Sequence, residues 1–121
     1  MAKKILVADD NPFIRRMLCR LLEAHEGYEM CAEAENGGEA IALSIKHRPD
    51  LIILDLEMPV KNGIDAAREI KQVLPTVPII LCTQYGDIVK GPAFMNLPAD
   101  RVVSKSDSGS LIGHSRSLIL V

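Results

Sequence analysis

Short runs of consecutive apolar residues alternate along the chain with stretches in which apolar residues recur every three or four positions. The short runs are typical of strands in a buried parallel sheet, and the wider spacing is typical of amphipathic helices. The sequence therefore predicts five strands, over Ile5–Ala8, Tyr28–Ala34, Leu51–Leu54, Ile79–Cys82 and Arg101–Val103.

Capping and turn residues place helices between these strands. Asn11 is a predicted N-cap with Pro12 at the first helical position, and Gly27 is predicted to close this first helix. A turn is predicted over Asn36–Gly38. The later helices are predicted over Glu39–His47, Gly63–Leu74 and Asp107–Val121.

The alternation predicts an α/β fold: a doubly wound, five-stranded parallel sheet with helices on both faces. The 121 residues allow one domain, 1–121, and the 48% hydrophobic fraction is sufficient for its core. The pattern is weakest where Asp87–Lys90 begins like a helix, because Gly91 and Pro92 should break or shorten it.

The charge balance argues against several classes of partner. The net charge is −2 and no run of Lys or Arg exceeds two residues, so direct nucleic-acid binding is not expected. Apolar stretches fall well short of the roughly 18 residues of a membrane helix, so no membrane contact and a cytoplasmic location are expected. Cys19, Cys31 and Cys82 lack the spacing of a zinc site and are interpreted as reduced thiols that serve as small hydrophobic residues.

Unusual polar residues follow four of the predicted strands. Asp9 and Asp10 follow the first strand, Asp55 the third, Thr83 the fourth and Lys105 the fifth. Ligands of such sheets bind at the carboxyl ends of the strands, so these side chains are expected to converge. Two carboxylates about 5 Å apart repel by roughly 3 kcal/mol at an effective dielectric of 20, so a cation must offset their charge.

Oxygen ligands without Cys or His favour Mg²⁺ or Mn²⁺ over zinc. A metal ion, a carboxylate, a hydroxyl and a lysine together suit phosphoryl transfer to a carboxylate nucleophile. Each residue also has a simpler interpretation when it is taken alone. Asp9 or Asp10 would cap the first helix, Asp55 would end a strand, Thr83 would be structural, and Lys105 would be a solvated surface residue.

These residues resemble the receiver domain of two-component response regulators. The resemblance covers nearly the whole chain, and its most specific part is a D-x-x-M-P-x-x-x-G segment over Asp55–Gly63. The segment Ala32–Gly37 further resembles receivers that carry a C-terminal helix-turn-helix output domain. The resemblance implies a flavodoxin-like sheet with the strand order 2-1-3-4-5. The other matching motifs are Val7–Asn11, Leu54–Pro59, Thr83 and Lys105.

The resemblance implies a phosphoacceptor and a metal site. Asp55 would accept a phosphoryl group from the phosphohistidine of a sensor histidine kinase, or from a small acyl phosphate. Asp10 would bind Mg²⁺ directly and Asp9 largely through water. Asp55 and the backbone carbonyl of Glu57 would complete the protein ligands, and Mn²⁺ would also fit.

The resemblance further implies a regulatory switch rather than a turnover enzyme, with only self-catalysed phosphorylation and slow autodephosphorylation. Thr83 and Lys105 would sense the phosphoryl group, and Glu57 and Tyr85 would tune its lifetime. The change of conformation would control a downstream output domain or protein. Many relatives dimerise through the fourth helix, fifth strand and fifth helix, so the resemblance also allows a homodimer.

The chain departs from the family pattern close to the site. Gln84 follows the threonine where the family usually has a small residue, and it is predicted to narrow access to Asp55. Val102 occupies the switch position, three residues before Lys105, where the family usually has a Tyr or Phe ring. The serine-rich last helix and the end at Val121 lead us to expect one domain of a longer response regulator.

Two other functions stay open at this point. One is a non-phosphorylated interaction module on the same fold, which would bind Mg²⁺ without accepting a phosphoryl group. The other is a phosphatase or phosphotransferase with an aspartyl-phosphate intermediate. Such enzymes commonly carry a D-x-D motif, whereas Asp55 is followed by Leu56 and Glu57.

Overall fold

A computed structural model describes residues 2–84 and 97–119. The strands are β1 (Lys3–Ala8), β2 (Tyr28–Ala34), β3 (Leu51–Asp55), β4 (Ile79–Thr83) and β5 (Arg101–Ser104). All pairings are parallel and the order is β2-β1-β3-β4-β5, which confirms the doubly wound sheet and its predicted order.

The helices of the described residues are α1 (Pro12–Glu23), α2 (Gly37–His47), α3 (Gly63–Val73) and α4 (Leu111–Ile119). An asparagine caps each of the first three: Asn11, Asn36 and Asn62 accept backbone N–H groups of the first turn. Asn11 thus caps α1 as predicted. The alternative in which Asp9 or Asp10 caps that helix is wrong.

The helices cover both faces of the sheet. Leu22 of α1 and Leu111 of α4 pack with Ile53 on one face. Ala40 of α2 and Ile70 of α3 lie in the cluster on the other face. Every residue of β3 is buried, which explains its unbroken apolar run. Within the described residues, no helix is long and apolar enough to cross a bilayer.

Two predicted helix boundaries in the N-terminal half of the chain are wrong. The first helix ends at Glu23, and Gly27 lies in the following loop with a φ of 94°. The predicted turn over Asn36–Gly38 is the start of α2, which begins at Gly37. Glycine is needed there because a Cβ at this position would overlap the backbone carbonyl of Lys61.

The predicted last helix over Asp107–Val121 is only partly correct. A 3-10 helix occupies Lys105–Ser110 and is kinked at Asp107, and the α-helix runs from Leu111 to Ile119. Serine and glycine have low helix propensity, so this segment adopts α-helix only where apolar residues pack on the sheet. The predicted helix start at Asp87–Lys90 lies outside the described residues.

The three cysteines are free, as expected for reduced thiols. Cys19 and Cys82 are buried, and burial raises the pKa of each thiol to about 12. Cys31 is half-buried, and its pKa is also raised by burial. The thiols of Cys19 and Cys82 are therefore protonated and pack as small apolar groups.

The loop between β3 and α3 is closed by a tight backbone approach. The Gly63 N–H donates to the carbonyl oxygen of Leu56 at 2.9 Å. A Cβ at Gly63 would overlap the carbonyl oxygen of Asp55, so only glycine allows α3 to start this close to the end of β3. This contact fixes the backbone around Asp55.

Val60, in the same loop, has a φ of 69° and its side chain is 83% exposed. The left-handed region costs a residue with a Cβ about 1–2 kcal/mol, and asparagine tolerates it better than valine. We expect Val60→Asn to raise the free energy of unfolding by roughly 0.5–1 kcal/mol in urea denaturation. Val60→Ala, which keeps most of the conformational cost, is the control. A less stable Val60→Asn protein would contradict this account.

Candidate functional site

The carboxyl ends of four strands bring the predicted polar residues to one edge of the sheet. Asp9 follows β1, Asp55 and Thr83 are the last residues of β3 and β4, and Lys105 follows β5. Asp9 and Thr83 are fully buried and Asp55 is 2% exposed, whereas Asp10 is exposed. Buried carboxylates at this position require a compensating positive charge.

Three carboxylates form a cluster at this edge. One carboxylate oxygen from each of Asp9, Asp10 and Asp55 lies within 4.8 Å of the others. The convergence that the sequence predicted is therefore present. A set of carboxylate oxygens with one exposed member suits a hard divalent cation that keeps several water ligands.

Lys105 bridges the two buried carboxylates of the cluster. Its Nζ lies 3.1 Å from Asp9 Oδ2 and 3.0 Å from Asp55 Oδ1. Burial lowers the pKa of Lys105, but the hydrogen bonds to the two carboxylates and the attraction of their negative charges together outweigh burial and raise the pKa above its ordinary value. Lys105 therefore stays charged, and it is not the solvated surface lysine of the simpler interpretation.

Burial has the largest effect on the pKa of Asp55. It raises the pKa of the Asp55 carboxyl to about 7, against the lowering effect of the hydrogen bond from Lys105. The negative charge of Asp9 adds to the increase. A further positive charge beside this carboxyl would stabilise its ionised form and lower its pKa.

Asp9 is held in place by its neighbours through both backbone and side chain. Its Oδ1 accepts from the Asn11 N–H at 2.9 Å, and its carbonyl oxygen accepts from Arg15 Nη1 at 2.9 Å. Arg15 also forms an ion pair with Glu33 at 3.2 Å. Sequence reasoning missed Arg15 and Glu33. A cation in the opening turns of α1, where the helix dipole disfavours it, was the available signal.

Thr83 forms a contact that the sequence did not predict. Its Oγ1 donates to Oε1 of Glu57 at 2.8 Å, across the ends of β3 and β4. The backbone N–H of Glu57 also donates to Asp55 Oδ1, at 3.3 Å. Glu57 therefore contacts two members of the site, one through its side chain and one through its backbone.

The remaining predicted residues differ in placement. Gln84 is an exposed turn residue directly after β4. Val102, in β5, is half-buried and packs against the core on the α2 and α3 face. Tyr85 lies outside the described residues. The proposed effects of Gln84, Val102 and Tyr85 stay predictions, as does the metal-binding role of the Glu57 carbonyl.

Comparisons with known proteins agree with this fold. A chemotaxis protein CheY from Halobacterium salinarum is 39% identical over 105 residues, which cover 87% of this chain and 86% of the relative. The response regulator TrrA from Thermotoga maritima, solved in complex with Mg²⁺ and BeF, has a TM-score of 0.84 and 38% identity. The alignment covers 96% of this chain and 98% of TrrA.

A two-component response regulator of the LuxR family from Aurantimonas sp. SI85-9A1 has a TM-score of 0.85 and 30% identity, over 99% of this chain and 86% of that one. Because chemotaxis proteins are also among the relatives, the resemblance to receivers with one class of output domain is supported only in part. Residues 5–114 match the response regulator receiver domain, and this chain therefore belongs to that family of regulatory domains in two-component and chemotaxis signalling.

Proposed function

We propose that this chain is a phosphoacceptor switch in which Asp55 receives a phosphoryl group. The observation that carries the proposal is the contact of Lys105 with Asp55 inside a cluster of three carboxylates. This arrangement joins a nucleophile, a fixed positive charge and a set of oxygen ligands for a cation. Phosphoryl transfer depends mainly on such positioning and charge compensation.

The charge of the cluster favours a divalent cation. When Asp9, Asp10 and Asp55 are all ionised, the ammonium of Lys105 leaves two negative charges uncompensated. The proposed protein ligands are these three residues and the backbone carbonyl of Glu57, and Mg²⁺ or Mn²⁺ fits such an oxygen set. When bound, the ion would neutralise charge on the oxygens of the incoming phosphoryl group.

The surroundings of Asp9 and Asp10 support different metal-binding roles for the two residues. Asp9 Oδ1 is engaged by the Asn11 N–H and Oδ2 by Lys105. Asp10 is exposed at the mouth of the same cluster. Because Asp9 is fully buried and already forms an ion pair with Lys105, it is less accessible to an ion than the exposed Asp10. This supports a direct ligand role for Asp10 and a water-mediated one for Asp9.

In the proposed reaction, a carboxylate oxygen of Asp55 attacks the phosphorus atom of a phosphohistidine or of a small acyl phosphate. The new bond joins that oxygen to phosphorus, and the bond from phosphorus to the leaving imidazole nitrogen or carboxylate oxygen breaks. The leaving group keeps the electron pair. Lys105 favours the ionised, nucleophilic form of Asp55, a bound cation would favour it further, and Lys105 remains in place to compensate the charge of the product.

The proposed output is a change in the loops that follow the strands. A phosphoryl group adds nearly two negative charges beside Thr83 and Lys105, whose donors would turn toward it. A pre-existing equilibrium of the loops would then shift. The proposed partners are a sensor histidine kinase as donor and an output domain or protein as receiver of the signal.

Intact-mass spectrometry after incubation with acetyl phosphate and Mg²⁺ tests the phosphoacceptor. We expect the natural protein to gain the mass of one phosphoryl group, and Asp55→Asn to gain none. Removing the metal should abolish the gain. Asp107→Asn, which changes an exposed carboxylate that is not a member of the cluster, is the matched control and should be phosphorylated normally.

If the natural protein stays unmodified while it is folded and binds Mg²⁺, the phosphoacceptor proposal is wrong. The alternative of a non-phosphorylated interaction module then replaces it.

The raised pKa of Asp55 predicts a pH-dependent stability of the metal-free protein. The folded state binds this proton more tightly than the unfolded state, whose ordinary pKa is 3.8, so stability falls as the pH rises from about 4 to about 7. Asp55→Asn should remove this fall. At pH 8 the variant should be roughly 1–2 kcal/mol more stable, less than the pKa change alone implies because asparagine loses the ion pair with Lys105.

Urea denaturation at pH 5 and pH 8, with and without Mg²⁺, measures this effect. Saturating Mg²⁺ should stabilise the natural protein and close most of its gap to Asp55→Asn, because the ion binds the folded carboxylates. If the stability of the natural protein and of Asp55→Asn depends equally on pH, ionisation of Asp55 is not the cause of the pH dependence.

A further inference from the structure

Glu57 connects the proposed phosphoacceptor with the proposed sensor of the phosphoryl group. Its backbone N–H donates to Asp55 Oδ1 at 3.3 Å, and its Oε1 accepts from Thr83 Oγ1 at 2.8 Å. Thr83 is fully buried, so its hydroxyl cannot turn to bulk water. The hydroxyl proton of Thr83 is thus committed to a carboxylate beside the site.

A threonine hydroxyl has a single proton to donate. It donates either to Glu57 or to an oxygen of a phosphoryl group on Asp55, and the two bonds exclude each other. We propose that Glu57 is a positioning residue that withholds the Thr83 hydroxyl from the phosphoryl group and thereby opposes the switched state. This inference rests on the proposed function and assigns Glu57 a part in its regulation.

The state of the Glu57 carboxylate supports this role. Its Oε2 is buried and lacks a hydrogen-bond partner within the described part of the chain, so the carboxylate depends on the bond from Thr83. A buried acceptor that loses its donor is costly, so the bond resists exchange. Glu57 as a whole is only half-buried, and rotation of its side chain would bring the carboxylate to water. Phosphorylation would drive that rotation by competing for Thr83.

Glu57 could also oppose phosphorylation through its negative charge alone, without competing for the Thr83 hydroxyl. A carboxylate beside the site repels a phosphoryl group whether or not Thr83 has a hydroxyl. The proposal instead requires that the effect of Glu57 depends on that hydroxyl. A double-mutant cycle between positions 57 and 83 separates the two cases.

The test uses the full chain and measures the affinity for beryllofluoride in saturating Mg²⁺ by ¹⁹F NMR. We expect Glu57→Ala to bind beryllofluoride about fivefold more tightly than the natural protein, the value of one hydrogen bond. The same change in a Thr83→Val background should alter the affinity by less than about twofold. In a Thr83→Ser background, which keeps the hydroxyl, Glu57→Ala should again increase the affinity for beryllofluoride.

Glu57→Gln keeps an oxygen that accepts from Thr83 but removes the charge, and it should gain less affinity than Glu57→Ala. An equal gain for Glu57→Ala in the natural and Thr83→Val backgrounds would overturn the proposal in favour of charge repulsion. An unchanged affinity in Glu57→Ala would also overturn it. If the natural protein and every variant fail to bind beryllofluoride, the proposed function itself fails.

Discussion

The ion pairs of one ammonium with two buried carboxylates are the interaction on which the whole site depends. Lys105, which follows β5, lies between Asp9 and Asp55 at 3.1 and 3.0 Å, so its side chain reaches past β4 to the ends of β1 and β3. Without it, two buried negative charges would face each other in a medium that screens them poorly. With it, the cluster is held together but is still negative, which leaves it in need of a second cation.

Much of this arrangement follows from the sequence because parallel strands end at a common edge. The polar residues after four of the predicted strands were therefore expected to meet, and Asp9, Asp10, Asp55 and Lys105 do. The apolar runs located the strands well, since β3 is buried along its whole length. The strand order came from the resemblance, because apolar patterns do not determine which strands are neighbours.

What the sequence did not predict depends on contacts between segments that are distant along the chain. Position 37, at the start of α2, requires glycine because the carbonyl of Lys61, which belongs to another loop, leaves no room for a Cβ. Arg15, in α1, forms its ion pair with Glu33 because α1 packs beside β2, in which Glu33 lies. The bond from Thr83 to Glu57 likewise needs the register of β3 against β4. No local pattern identifies these distant partners.

The central claim is that burial leaves Asp55 short of positive charge until a divalent cation binds. A ¹³C NMR titration of the Asp55 carboxyl group, with and without saturating Mg²⁺, measures this directly. The account predicts a pKa of about 7 in the metal-free protein and a carboxylate that stays ionised to much lower pH when the metal is present. An ordinary pKa near 3.8 without metal, unchanged by Mg²⁺, would contradict it.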